Sequence, residues 1–312
     1  MDAEKIDLSV VVSVYNEEQG IADFYNVLST ELSKLSCNYE ILFVNDGSAD
    51  GTLDLLRGFA SADKTVRVIN FSRNYGHESA MIAGIDYSKG DSIICMDSDL
   101  QHPPQKIAEM LRMKDNGFDI ISMVRAERKD VGALHKMNSR LFYRLANSVS
   151  SVKLPENASD FFLISRPVAD VLKTDFRERT RFLRGIIQMV GFSHTTLEYV
   201  APERIAGKSK YSFWKLMKLS FSAISSLSNI PLRISLLMGI LFGILSLVLI
   251  IYSIVMRFME TPVSGYTTLI VFLCAFACIL FFVLGIIGMY IGYIFDEVKQ
   301  RPVYIVKEII EE

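Results

Sequence analysis

The chain has 312 residues, 50% of them hydrophobic, a mean hydropathy of +0.29 and a formal net charge of −2. That apolar excess is larger than an ordinary soluble enzyme carries, so part of the chain is expected in a membrane. The near-neutral charge makes no case for nucleic acid as a partner, and Cys37, Cys95, Cys274 and Cys278 show neither a disulfide framework nor metal-ligand spacing.

The opening, MDAEKIDLSVVVSVYNEE, has no basic n-region and no cleavage site, so no secretory signal is expected and the first ~200 residues should stay in the cytosol. Short, β-branched runs follow at Leu8–Val14, Tyr39–Val44, Val66–Phe71, Ser92–Met96 and Asp119–Val124, separated by segments of helical length. That rhythm predicts an α/β fold with a largely parallel sheet covered by helices. Ligands of such sheets bind beyond the carboxyl ends of the strands. Here the five strands end in VYNEE, VNDGS, FSRNYG, MDSDLQ and MVRAER. No G-x-G-x-x-G follows the first strand, so a dehydrogenase loses its best support.

The fourth ending sits in IICMDSDLQHPP, an apolar run that delivers Asp97 and Asp99 to the rim. Alternation along a strand would set both carboxylates on one side, and Pro103-Pro104 would stop the strand. After Asp160 the sequence reads as helical and basic, with Arg177–Phe192 carrying apolar residues at helical spacing behind several arginines. Tyr211, Trp214, Lys215, Lys218 and Phe221 then have the composition of an interfacial amphipathic helix. Ile234–Met256 and Tyr266–Phe295 are uncharged and each long enough to cross a ~30 Å hydrocarbon core. Lys208, Lys210, Lys215, Lys218 and Arg233 precede the first span, and Lys299, Arg301 and Lys307 follow the second, which predicts both termini on the cytoplasmic side.

Taken in order, SVVVSVYNEE, EILFVNDGSADGT, DSDLQHPP, SDFFLISR and ERIAGKSKYSFWKL ahead of two spans resemble the family 2 inverting glycosyltransferases with a GT-A domain. Within these the chain is similar to the polyisoprenyl-phosphate glycosyltransferases, closest to the bactoprenol glucosyltransferases and related to the dolichol-phosphate mannose synthases. The resemblance covers nearly the whole chain. It implies a cytoplasmic GT-A nucleotide-sugar-binding domain over residues 1–200, a juxtamembrane amphipathic region over 201–232, two transmembrane helices over 233–296 and a cytoplasmic tail over 297–312.

The resemblance also implies roles. Tyr15, Glu17, Asp46, Arg73, Asp97 and Ser98 would face the nucleotide; Asn45 stands where many relatives have Asp. Asp97, Asp99 and Gln101 would approach Mg2+ or Mn2+, because the diphosphate leaving group gains negative charge that a hard cation neutralises. Asp99 and Asp160 are the catalytic candidates. Arg125, Arg128, Lys136 and Ser139 would hold the lipid phosphate, and Arg181, Arg184 and Lys208 would close over the diphosphate or line the path of the lipid. A phosphomonoester with a second pKa near ~6 is already a nucleophile near neutral pH. Asp160 is therefore expected to orient first and act as a base second.

The implied reaction moves a single sugar, with glucose from UDP-glucose the favoured donor, to undecaprenyl phosphate at the cytoplasmic leaflet with inversion, for envelope glycosylation. UDP-N-acetylhexosamine, UDP-galactose, aminoarabinose and GDP-mannose donors stay open, as does an assembly of identical chains. A processive polysaccharide synthase is opposed by the missing Q-x-x-R-W signature. A noncatalytic membrane scaffold is opposed by the intact DSD, NDGS and SDF, and a flippase by having only two spans, both uncharged.

Overall fold

A computed structural model describes residues 5–126, 158–178, 183–200, 230–259 and 265–311. Strands β1 (Leu8–Val14), β2 (Tyr39–Asn45), β3 (Val66–Phe71), β4 (Ser92–Asp97) and β5 (Ile120–Arg125) lie within a residue of the expected runs. Every residue of β1 and β3 is buried, which is why these runs are continuously apolar rather than alternating. Helices α1 (Ile21–Leu32), α2 (Thr52–Ala62), α3 (His77–Tyr87) and α4 (Ile107–Asp115) connect them. Helix α1 buries Ile21, Phe24, Leu28 and Leu32, a stripe at three- and four-residue spacing. Helix α3 instead buries Ala80 through Ile85 without interruption, and lies so close to β1 that a Cβ on Gly84 would come 2.0 Å from a Val11 methyl group.

Downstream of Asp160 the structure corrects the expectation of helix alone. Residues Ala158–Ser165 form β6, followed by α5 (Arg166–Thr174), α6 (Leu183–Met189) and β7 (His194–Tyr199). The Phe161–Ile164 stretch of β6 is fully interior, and so short an apolar run carries no periodicity to separate strand from helix. The tail is also ordered into the fold: Val306–Ile310 form β8. Its alternation of half-buried and exposed residues is that of an edge strand.

The described residues contain one eight-stranded sheet in the order β7-β5-β6-β4-β1-β2-β3-β8. Pairs β1·β2, β1·β4, β2·β3 and β5·β7 are parallel. Strand β6 runs antiparallel to β4 and β5, and β8 antiparallel to β3. Apolar cores cover both faces of this sheet, one centred on Val10, Val12 and Phe43, the other on Val11, Leu42 and Ile69.

The residues from Ile224 to Arg301 make a second compact unit. It contains α7 (Ile230–Phe258) and α8 (Tyr266–Val298), which pack on each other where two spans were expected. Among the described residues one stretch, Ala275–Val298 with hydropathy 2.4, is long and apolar enough to cross a membrane, and α7 contributes the shorter apolar stretch Ser235–Leu245. The expected amphipathic segment lies outside the described residues from 201 to 229.

Candidate active site

The loops after β1, β2 and β3 meet at the carboxyl rim of the sheet and are cross-tied. Asn16, in the left-handed region at φ 54, accepts the Ala49 N–H at 2.9 Å and donates its own N–H to Ser48 Oγ at 3.0 Å. Glu17 donates its N–H to Thr52 Oγ1 at 3.0 Å. Asp46 is buried, and its two oxygens accept the N–H groups of Tyr75 at 2.6 Å and Gly76 at 2.9 Å. Burial pushes the Asp46 carboxyl up, and those two N–H groups work against the shift. Gly47 has φ +66, and a Cβ there would come 2.4 Å from the Arg73 carbonyl carbon, so only glycine lets the loops touch. Tyr15 is 47% exposed, and the Arg73 guanidinium lies 4.1 Å from the centroid of Tyr75. Asp46 thus organises this rim from below, while Tyr15 and Arg73 stand open on it.

The acidic centre is a product of strand register. Cys95 of β4 pairs with Phe162 of antiparallel β6, and two further steps along that register bring Asp97 beside Asp160. Arg184, from the first turn of α6, grips Asp160 with two bonds, Nε to Oδ1 at 2.5 Å and Nη2 to Oδ2 at 2.6 Å. His77, the first residue of α3, has Nε2 at 3.4 Å from Asp97 Oδ1 and 3.6 Å from Asp160 Oδ2, while its Nδ1 is 2.8 Å from Ser13 Oγ. Burial opposes the charge on both His77 and Asp160, yet their mutual attraction wins. It raises His77 to about 9 and, with Arg184, holds Asp160 well below the ordinary carboxylate range. That shift favours the ionised form of Asp160 at neutral pH.

Two neighbours carry opposite shifts. Burial, reinforced by Asp160 and Asp99, pushes Asp97 up to about 6 despite His77. Glu78 rises to about 7 through burial and then Asp160, although it accepts the Leu183 N–H at 2.9 Å and so fixes the start of α6. His102 is buried, stacks on Phe161 with centroids 5.2 Å apart, and accepts the Asp97 N–H on Nδ1 at 3.0 Å. Burial pushes it down to about 3, so it is a neutral support under Asp97.

Asp99 departs from the expected strand alternation. Strand β4 ends at Asp97, and Leu100 turns through φ 59, so Asp99 is placed by a bend and not by the pleat. Its Oδ1 accepts the Gln101 N–H at 3.0 Å, and Gln101 Oε1 accepts from Arg125 at 3.0 Å. Ser98 between them is buried. No cluster of three or more His, Cys, Asp and Glu with metal-site geometry occurs among the described residues. The carboxylates nevertheless fit a divalent cation in charge. Asp97 is half-buried beside like charges that raise it, and a magnesium-type site commonly takes one or two carboxylates and completes its shell with substrate phosphate and water.

Of the sequence candidates, Asp46, Arg73, Asp97, Ser98, Asp99, Gln101, Arg125, Asp160 and Arg184 fall on described rim segments, as do Tyr15 and Glu17. Arg128, Lys136, Ser139, Arg181 and Lys208 lie outside the described residues. His77, Glu78 and His102 were missed. The signal for the first two was a base and an acid together in GHES, opening a helix directly after a rim loop.

The family model described as "Glycosyl transferase family 2" matches residues 9–172. An uncharacterized glycosyltransferase of Bacillus subtilis (strain 168), YkcC, is 40% identical over 306 residues, covering 97% of this chain and 94% of its own. The SfII prophage-derived bactoprenol glucosyl transferase of Shigella flexneri is 36% identical over 302 residues, 96% of this chain and 97% of its own. The prophage bactoprenol glucosyl transferase homolog of Escherichia coli (strain K12) is 36% identical over 306 residues, 97% and 99% of the two chains.

Proposed function

Because the chain belongs to glycosyl transferase family 2 and carries its GT-A fold, we propose that it transfers one glucose from UDP-glucose to undecaprenyl phosphate, with inversion, at the cytoplasmic leaflet. The observation that carries this reading is the juxtaposition of Asp97 and Asp160 at the carboxyl rim, flanked by His77 and Arg184. Likeness over nearly the full length to proteins named bactoprenol glucosyl transferase supports the acceptor class and the sugar.

The residues divide the work by charge. Tyr15, Glu17, Arg73 and Ser98 face the nucleotide, and Asp46 holds the loop beneath it. Asp97, Asp99 and Gln101 would hold Mg2+ or Mn2+, which neutralises the charge that grows on the departing diphosphate. Asp160, kept ionised by His77 and Arg184, orients the anomeric centre and the incoming phosphate. It has little proton to remove, since the acceptor oxygen is already ionised near neutral pH. Arg125, Arg128, Lys136 and Ser139 bind the lipid phosphate, and Arg181, Arg184 and Lys208 screen the diphosphate or guide the lipid.

Parity supports the two-crossing topology of this reading. Strand β8 is reached after α8 yet lies in the same sheet as β3, which favours an even number of crossings between β7 and β8. A crossing by Ala275–Val298 requires a second one, and α7, 29 residues long, reaches ~44 Å at helical rise. Arg233, Lys299 and Arg301 at the two ends then lie on the cytoplasmic side.

The test is transfer by the purified full chain from a panel of radiolabelled nucleotide sugars to undecaprenyl phosphate in nanodiscs, with and without chelator. Glucose transfer that stops in chelator is expected. Transfer of another sugar would correct the donor, and no metal-dependent product with any donor would overturn the reading in favour of a scaffold.

A further inference from the structure

Two chains of contacts run from the tail to the loops of the carboxyl rim. In the first, Glu308 Oε1 of β8 accepts from Asn70 Nδ2 at 2.8 Å, and Asn70 Oδ1 accepts from Asn45 Nδ2 at 2.9 Å. Asn45 Oδ1 accepts from Ser48 Oγ at 2.5 Å, and Ser48 Oγ accepts the Asn16 N–H at 3.0 Å. Asn45 and Asn70 are buried at 1% and 3% exposure, so an interrupted link leaves a polar group without water. An aspartate at 45 could not donate to Asn70 when ionised, which gives a physical reason for asparagine there. In the second, the Tyr304 ring stacks on Phe71 at 5.2 Å, Phe71 meets Tyr75 edge-on at 5.7 Å, and Tyr75 carries the Arg73 guanidinium. Beside this stack the Ile305 carbonyl accepts the Ser72 N–H at 3.0 Å. Tyr304 is itself anchored, donating to Asp86 Oδ2 at 2.6 Å.

We propose that the tail, residues 304–310, is a positioning element of the donor site: its Glu308 chain sets the loops after β1 and β2, and its Tyr304–Ile305 contacts set the loop after β3. A strand added only to seal a sheet edge needs backbone pairing and a charge or two. It does not need a buried amide relay through two further strands to a loop. The identity of the ligand that these loops hold rests on the function proposed above; their positioning by the tail does not.

Two variants of the full chain in nanodiscs test this. Glu308→Ala removes the acceptor for Asn70, whereas Glu308→Gln keeps an acceptor and removes only the charge. Without any ligand, Glu308→Ala should speed backbone hydrogen exchange at residues 14–18, 45–50 and 72–76, and Glu308→Gln should restore wild-type protection. With UDP-glucose, Glu308→Ala should raise the donor KM about three- to tenfold, the effect of one buried hydrogen bond, with kcat and the lipid-phosphate KM unchanged. Faster exchange confined to β8 and β3, or equal behaviour of the Ala and Gln variants, would reduce the tail to an edge seal and overturn the proposal. If wild type uses no nucleotide sugar, the proposed function fails while the exchange measurement still decides. Should Glu308→Ala not fold, Tyr304→Leu probes the second chain alone, and unchanged exchange at 72–76 would be equally fatal.

Discussion

The two ends of the sheet handle buried charge in opposite ways. At the amino end, Glu40 on β2 accepts from Ser9 Oγ at 2.5 Å, from the Lys89 N–H at 2.6 Å and from Arg67 at 2.7 Å. Arg67 also bonds Glu311 at 2.6 Å. Burial alone would weaken the Arg67 charge, but Glu40 and Glu311 hold its pKa up. At the carboxyl end, Asp97 and Glu78 are pushed up, Asp160 is held down, and His77 must serve two carboxylates at distances beyond 3.3 Å. One end has closed its charges among themselves. The other pairs Asp160 with Arg184 but leaves Asp97 and Glu78 pushed toward their neutral forms, the kind of perturbation that gathers at functional sites.

The sharpest way to break that contrast is at Asp160. Asp160→Asn keeps the shape that Arg184 grips and removes the charge, so kcat per folded molecule should fall about 10²- to 10⁴-fold, while the melting temperature also drops because Arg184 and His77 lose their counter-charge. Loss of folding with activity per folded molecule retained would make the carboxyl end a structural cluster like the other. The converse applies to Arg67→Met, which leaves Glu40 buried and uncompensated. Stability should drop by roughly 3–5 kcal/mol in denaturant unfolding, with kcat of the folded fraction unchanged.

A pH experiment sharpens the comparison further. Glu78 binds its proton more tightly in the folded chain, at about 7, than at the ordinary glutamate value of 4.5. The stability this contributes is complete below about pH 4.5 and is lost as pH rises through about 7. Glu78→Gln keeps an acceptor for the Leu183 N–H and has no proton to lose. The variant should therefore melt above wild type at pH 8 and converge with it toward pH 4.5. A gap that does not change with pH would show that Glu78 is compensated in the way Glu40 is.

How much of this was legible depended on the range of the interaction. The five strand endings could be read because each is local: a buried apolar run followed at once by Asp, Asn, Ser or Glu. Asp160 was found through the SDF resemblance, but its contact with Asp97 depends on antiparallel register between β4 and β6, strands 60 residues apart, which no local pattern encodes. The bend at Leu100 likewise defeated the expectation that alternation places Asp99. Strand β8 was invisible because five residues behind a long apolar helix look like any short tail. A chain ended near Asn229 would lose Glu308, Tyr304 and Glu311 together. A soluble version of this enzyme should replace residues 230–301 by a linker and keep the tail.

The smallest predicted effect lies where the two ends meet at the sheet edge. Arg57 bonds Glu308 Oε1 at 2.8 Å, the same oxygen that Asn70 uses, but both partners of this ion pair are open to solvent, at 45% and 34% exposure. Water screens such a pair and side-chain freedom opposes it, so Arg57→Ala should cost less than about 1 kcal/mol. The bond to Asn70 survives the change, and with it the relay to Asn45 and Ser48. Donor KM should accordingly stay at the wild-type value, in contrast to Glu308→Ala. If Arg57→Ala raised donor KM as much as Glu308→Ala does, the charge of the pair and not the buried amide relay would be setting the loops, and the line between a compensated edge and an uncompensated site would have to be redrawn through β8.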